Sequence, residues 1–302
     1  MKKSVRNKTI GIMAAGMVVT ASLGAAAYAS GNAYDDFRSA AIKTMQLDNS
    51  TMNSTVELKQ DGKVTASGTF EVQSAGEESY STGKLNIGGK TLDIEQATEN
   101  GKMILRKGDQ YYSVDAKETE GRGGKEFEAS PSALRLAEAA SDLLLGDIKN
   151  RFSENGDTIT LNLTDAQIPE LANLAMNAVL EASAKHGEDR LSEEAKWQSD
   201  WADFDHASLF PIASDGRVDS VRLDATIKDG AISAIRTTIG VSGLDKSGQQ
   251  VELQASIDSA FSDVGTTVPQ DIDVTGKKIE ALEMPSGHEG FGHGPFGRGR
   301  HE

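Results

Sequence analysis

Zinc-dependent proteolysis needs two histidines four apart on one helical face, with a glutamate between them as base. The segment His288-Glu289-Gly290-Phe291-Gly292-His293 comes near that pattern. Its histidines are five apart, however, and its glycines will not hold a helix. With His301 they make a loose metal-binding tract at best, and tracts of this composition read first as solvated tail. Asp271, Asp273, Thr275 and Gly276 open like a calcium loop, but the twelfth position, which needs a bidentate glutamate, is Leu282. Ser81 and Lys84 have the serine–lysine spacing of penicillin-recognising enzymes. That chemistry needs the serine at a helix start, and Ser81 falls in a strand pattern. His186 and His206 stand without an acid or nucleophile at useful spacing. Asn49, Asn53 and Asn162 begin glycosylation sequons that matter only in a eukaryotic secretory pathway. No constellation supports catalysis and none calls for a cofactor, so the chain reads as a non-enzyme.

One grouping remains. Trp197, Trp201 and Phe204 lie at i, i+4 and i+7 and form a single aromatic stripe on a helix. Such a stripe is either ordinary packing or a lid over an apolar cavity.

The ends of the chain place it outside the cytoplasm. Lys2, Lys3, Arg6 and Lys8 precede an apolar run from Ile10 to Ala27, which closes on Ala27-Tyr28-Ala29. Basic, then apolar, then small is the order of a secretory signal, with cleavage after Ala29. The alternative is an uncleaved membrane tether over residues 10–29. The signal and tail have a bacterial look, and the mature protein is expected to be secreted or held at the cell surface. The formal charge is −15, and removal of the four basic residues of the signal makes it more negative still. A phosphate backbone needs a basic partner, so nucleic acid is excluded. Cysteine is absent, which removes disulfides, thiol chemistry and lipid attachment through a thioether.

The periodicity between these ends is informative. Tyr34, Phe37, Ala41 and Met45 share a face at helical spacing and predict a helix over 33–45. From Thr51 to Asp115 the period falls to two. Runs such as Val56/Leu58, Phe70/Val72 and Leu85/Ile87 are separated by Asp61-Gly62, Gly88-Gly89, Asn100-Gly101 and Gly108-Asp109. These are hairpin turns, and the reading is a meander of about six one-sided strands. Helices are expected next, from Pro131 through Ile148 and from Thr164 onward, the latter opened by a capping box with Gln167. Ile168, Leu171, Leu174, Ala175, Ala178 and Ala182 would be its buried face. A hairpin at Asn155-Gly156 separates the two, and a third helix runs from Leu191 to Phe204. Strands return over 221–227, 235–241, 251–257 and 278–282. Asp215-Gly216-Arg217-Val218 repeats the chemistry of Asp61-Gly62-Lys63-Val64 and predicts a second hairpin of the same kind.

The expected organisation is a signal peptide over 1–29, a single α+β domain over 30–285 and a disordered Gly/His-rich tail over 286–302. The fold class is a strongly curved antiparallel sheet wrapped against covering helices. This order, with Phe261-Ser262-Asp263-Val264-Gly265 and Pro269 at the closing strand, resembles the LolA-like carriers and the LppX/LprG-type lipoproteins. The resemblance covers 33–282 and implies a half-barrel whose cavity holds acyl chains. It implies a lipid or other apolar ligand, or a lipidated envelope partner, with Trp197, Trp201 and Phe204 as lid. Fold alone does not carry function, and an interaction or sensory module without a cavity is the alternative.

Overall fold

The computed structural model describes residues 33–115, 148–170, 173–174, 176–177 and 209–281. The described residues open with α1 (Ala33–Met45). Asp35 and Asp36 in the first turn and Lys43 in the last complement the helix dipole. Tyr34, Phe37, Ala40 and Ala41 are buried. Met45, expected on the same face, is 48% exposed. The last turn explains the difference. Thr44 accepts a hydrogen bond from the Ile232 N–H (2.8 Å), and Lys43 donates to the Asp229 carbonyl. The helix is thereby fixed to the tip of a hairpin, and Met45 projects beyond it.

Six strands follow as a meander: β1 (Asn49–Gln60), β2 (Lys63–Ala75), β3 (Glu78–Ile87), β4 (Lys90–Glu99), β5 (Lys102–Lys107) and β6 (Gln110–Asp115). Four of their five turns fall at the Gly-containing pairs read from the sequence, and the fifth, between β2 and β3 at Gly76, has no counterpart among them. At Asn100-Gly101, for instance, both residues have positive φ (51° and 73°), the conformation that matches the twist of two flanking strands. After 148–151, β7 (Phe152–Asn155) and β8 (Thr158–Thr164) form the expected hairpin. Then come β9 (Ser214–Lys228), β10 (Ala231–Leu244), β11 (Gln250–Ser262) and the short β12 (Ile279–Ala281).

The twelve strands among the described residues make one curved, unclosed sheet in the order β12-β6-β5-β4-β3-β2-β1-β11-β10-β9-β8-β7. Every pairing is antiparallel except that of β12 with β6. The fold is thus α+β, and α1 is the one complete α-helix among the described residues. The two halves meet where β1 pairs with β11 over ten residues. One cross-strand row shows the resulting sidedness: Leu161, Leu223, Thr237, Ile257, Val56, Gly68, Leu85 and Leu92 are successive partners from β8 to β4. The neighbouring row on the opposite face is Thr160, Asp224, Arg236, Asp258, Thr55, Thr69, Lys84 and Asp93.

The main core lies where α1 packs on the apolar face of β7–β10. It joins Tyr34, Phe37, Phe152, Ile159, Leu161, Leu163, Leu223 and Ile232. The Phe152 ring meets Tyr34 edge-on at 5.3 Å and Phe37 at 5.4 Å. A second, smaller core lies on the other face. There residues 263–278 run as a strap from the end of β11 toward β6. Thr267 exchanges backbone hydrogen bonds with the Asn49 side chain (2.7 and 2.9 Å), and the Gln270 N–H donates to Gln73 (2.9 Å). Ile272 then packs among Tyr80, Ala97 and Tyr111.

Three expectations are corrected. The Thr164/Gln167 capping box forms, with Gln167 accepting from the Thr164 N–H at 3.0 Å, but it opens a single 3-10 turn over Asp165–Gln167. Helical backbone starts anew at Glu170, and the side turned to the sheet carries Asn173, Met176 and Asn177, which leaves Leu174 57% exposed. Asp215-Gly216 is not a hairpin turn but lies within the first residues of β9. Asp215 keeps the positive φ of 53°, yet the chain continues as strand because other groups take its backbone. Asn177 donates to the Gly216 carbonyl (2.8 Å) and accepts from its N–H (2.9 Å), while Asn173 accepts from the Val218 N–H (3.0 Å). Two asparagines one helical turn apart thus stand in for a strand along the edge that β8 leaves open. The final strand, expected over 278–282, has three residues and pairs in parallel. Of the covering helices expected over 131–148 and 191–204, only Ile148 lies among the described residues, where it opens a 3-10 turn (Ile148–Arg151) and joins the main core; the signal and the tail lie outside them.

Candidate binding faces

The sheet offers two unlike surfaces. On the apolar face, Val56, Phe70, Val72, Leu85, Ile94 and Ile257 continue the core away from α1 and are half-buried. Phe70 lies over Gly83, where a Cβ would stand 2.6 Å from the ring, so the absent side chain lets the aromatic lie flat on the strand. Leu209 packs on Ile87 and Leu92 at one end of this stripe, and Ile212 packs on Val251 and Leu253. The chain therefore returns to β9 across the apolar side.

The opposite face is polar and curves into an open trough of about 900 Å³ that spans from β3 to β9. Its walls carry Lys84 and Glu71 on one side and Arg222, Asp224, Arg236 and Asp258 on the other, over a floor that includes Thr55 and Thr69. Asp224 accepts a forked pair from Arg222, Nε at 2.7 Å and Nη2 at 3.2 Å, and a third bond from the Thr160 hydroxyl at 3.0 Å. The Arg222 hydrogen bond, with help from Thr160 and Arg236, holds the carboxyl below the usual aspartate range despite partial burial. Arg236 turns Nε toward Asp258. Each arginine is in turn held more firmly charged by its carboxylate.

Beside the trough, under the strap, the Tyr80 hydroxyl donates to Glu95 Oε1 at 2.7 Å, and Arg106 holds the other oxygen of Glu95 at 2.7 Å. Burial first, then the bond to Glu95 and its charge, push the Tyr80 phenol from 10.0 up to about 12. The folded state thus prefers the protonated phenol. The stabilisation is complete below the ordinary tyrosine pKa and is lost as pH rises from 10.0 toward about 12. Stability should therefore fall across that window in the native protein, and Tyr80→Phe should flatten the fall. Urea midpoints measured at intervals through the window would check this. An equal alkaline slope in both proteins would show that Tyr80 is not the titrating group.

None of the residues singled out for chemistry from the sequence is brought together here. Trp197, Trp201, Phe204, His288, His293 and His301 all lie outside the described residues. No cluster of metal-ligating side chains occurs among the described residues. Ser81 and Lys84 project to opposite faces of β3, as their odd separation requires. Asp273 accepts from the Thr275 N–H (2.9 Å) as a local turn. No described helix is long and apolar enough to cross a membrane. The arginine–aspartate pairs went unnoticed in the sequence. Arg222/Asp224/Thr226 alternation marks one polar strand face, but Arg236 and Asp258 meet it only through register. No protein-family model matches the chain, and no curated protein matches it either.

Proposed function

We propose that this is a non-catalytic, extracytoplasmic cell-envelope protein that holds an apolar ligand, a lipid or acyl chain, or a lipidated partner, against the apolar face of its sheet. One observation carries the reading. A helix of 13 residues is about 20 Å long, whereas twelve strands side by side extend about 53 Å. The contacts of α1 fall on β7, β9 and β10, while the apolar row continues to Leu92 on β4. Half-buried valine, leucine and phenylalanine on β1–β4 call for an apolar cover. In the half-barrel arrangement of the LolA-like group, helices from the stretches 131–148 and 164–204 would supply that cover and leave room for acyl chains. Leu209, five residues after Phe204 in the sequence, packs on Ile87 of β3 and Leu92 of β4 at one end of the stripe. The proposal gives the role of lid to Trp197, Trp201 and Phe204. Export by cleavage after Ala29 belongs to the same proposal.

Native mass spectrometry of the protein purified from its own host tests the reading. A co-purifying lipid is expected, together with saturable quenching of tryptophan emission by added fatty acid that Trp201→Ala weakens. Bare protein and no quenching would overturn it. The second reading, an interaction module without an apolar cavity, would then stand, and the polar trough is the observation that favours it.

A further inference from the structure

The polar trough has a feature that a merely solvated sheet face does not require. Arg222 and Arg236 sit on adjacent strands, diagonal to one another, because Arg222 pairs with Thr238 and Arg236 with Asp224. Each guanidinium is hydrogen-bonded to a carboxylate on the same face, and the carboxylates are the more sheltered partners. Arg222 is 59% exposed against 24% for Asp224, and Arg236 63% against 42% for Asp258. Arg236 commits Nε to Asp258, and among the described residues no hydrogen bond engages either of its Nη groups. Arg222 commits Nε and Nη2 to Asp224, and among the described residues no hydrogen bond engages its Nη1. Two arginines with their orientation fixed and their outer edges uncommitted therefore line one wall of the trough. Lys84 and Thr82 line the other wall, with Thr55 and Thr69 between. Oriented guanidinium edges are the usual device for binding an oxyanion.

We propose that this trough is a second binding site, distinct from the apolar face, and that it takes a short hydroxyl-rich chain bearing one isolated carboxylate, a uronate-type sugar. The arginine edges hold the carboxylate. The threonine hydroxyls, each both donor and acceptor, match the hydroxyls of the rest of the ligand. A polyanion is disfavoured because Glu71, Asp224 and Asp258 line the same trough and the chain as a whole carries −15, a field that repels added negative charge. A neutral sugar leaves the guanidinium edges without an anionic partner. A cation meets the arginines first.

The test uses calorimetric titration of the full chain at low ionic strength, where exposed charges are least screened. The probes are a trisaccharide with one uronic acid, the same trisaccharide with its carboxyl reduced to the alcohol, and polygalacturonate. The acidic trisaccharide should bind, and the reduced one about tenfold more weakly or worse, the expected effect of losing charge-assisted hydrogen bonds. R222Q/R236Q should weaken the acidic probe by a similar factor and leave the reduced probe unchanged. Should that double variant fail to fold, Lys84→Gln on the opposite wall should still lower affinity for the acidic probe alone. Equal binding of acidic and reduced probes, strongest binding by polygalacturonate, undiminished binding in the arginine variant or no binding at all would each overturn the proposal. Fatty-acid quenching measured in the same variants should not change, so failure here is separable from failure of the apolar-ligand reading.

Discussion

Phe37→Ala should cost about 3–5 kcal/mol, the range for removing a fully buried aromatic, and that is a large share of the ~5–15 kcal/mol that holds a typical domain folded. Phe37 is 1% exposed and lies at the centre of the core between α1 and β7–β10. Its removal takes away the ring that meets Phe152 at 5.4 Å and opens space within the main core. A helix of 13 residues has little stability alone, so α1 depends on this contact as much as the core does. Far-ultraviolet circular dichroism and urea denaturation should show helix and sheet signals moving together to lower denaturant. Met45→Ala should change the midpoint little, because Met45 is 48% exposed beyond the hairpin that anchors the helix end. Comparable losses in the two variants would mean that the whole helix face, Met45 included, is packed.

The other large effect is expected at Gly243. A Cβ built there would stand 2.5 Å from Ile212 Cγ2 and 2.9 Å from the Ser214 carbonyl oxygen. The second contact is decisive, since a backbone atom cannot swing away as a side chain can. The Ala213 N–H donates to the Leu244 carbonyl at 2.7 Å, which presses the two segments together at this point. Gly243→Val must displace the stretch that leads into β9, and with it Ile212, which closes the Val251/Leu253 cluster. Overpacking of this kind costs about 1–3 kcal/mol, and the strain should be local. Limited proteolysis should find new cleavage between 209 and 215, and the urea midpoint should fall. Gly83→Ala provides the contrast. Its Cβ would also come too near, at 2.6 Å, but the atom it meets belongs to the Phe70 ring, which can rotate. A larger loss for Gly83→Ala than for Gly243→Val would show that the return segment yields and the Phe70 ring does not.

Much of the secondary structure was legible in the sequence because it is local. The helix over Ala33–Met45 follows from spacing of its apolar residues, and the six strands of the meander follow from alternation between Asp-Gly, Gly-Gly and Asn-Gly turns. Those signals act over two to four residues and survive any tertiary context that buries one face. The failures fall where a distant group takes over the backbone. Asp215-Gly216 has the composition of a hairpin turn, but the side chains of Asn173 and Asn177 bind Gly216 and Val218 and keep that stretch extended. Met45 obeys the helical period, but Lys43 and Thr44 fix the last turn to a hairpin that forms nearly two hundred residues later.

The amino-acid sequence by itself determined that one face of each strand is apolar and the other polar, since side chains alternate whatever the strand pairs with. Which residues become neighbours across that face was decided only by tertiary structure. Arg222 and Asp224 share a strand face by local rule. Arg236 reaches Asp224, and Asp258 reaches Arg236, because β9, β10 and β11 pair in one register; shifting any strand by a single residue would send its charges to the apolar side. Likewise, the pairing of β1 with β11 joins two meanders into one sheet and brings Lys84 to the same trough as Arg222. Neither link has a local signature, because a hydrogen-bonded ladder between strands some two hundred residues apart is specified by which buried faces fit together and not by the residues at either end.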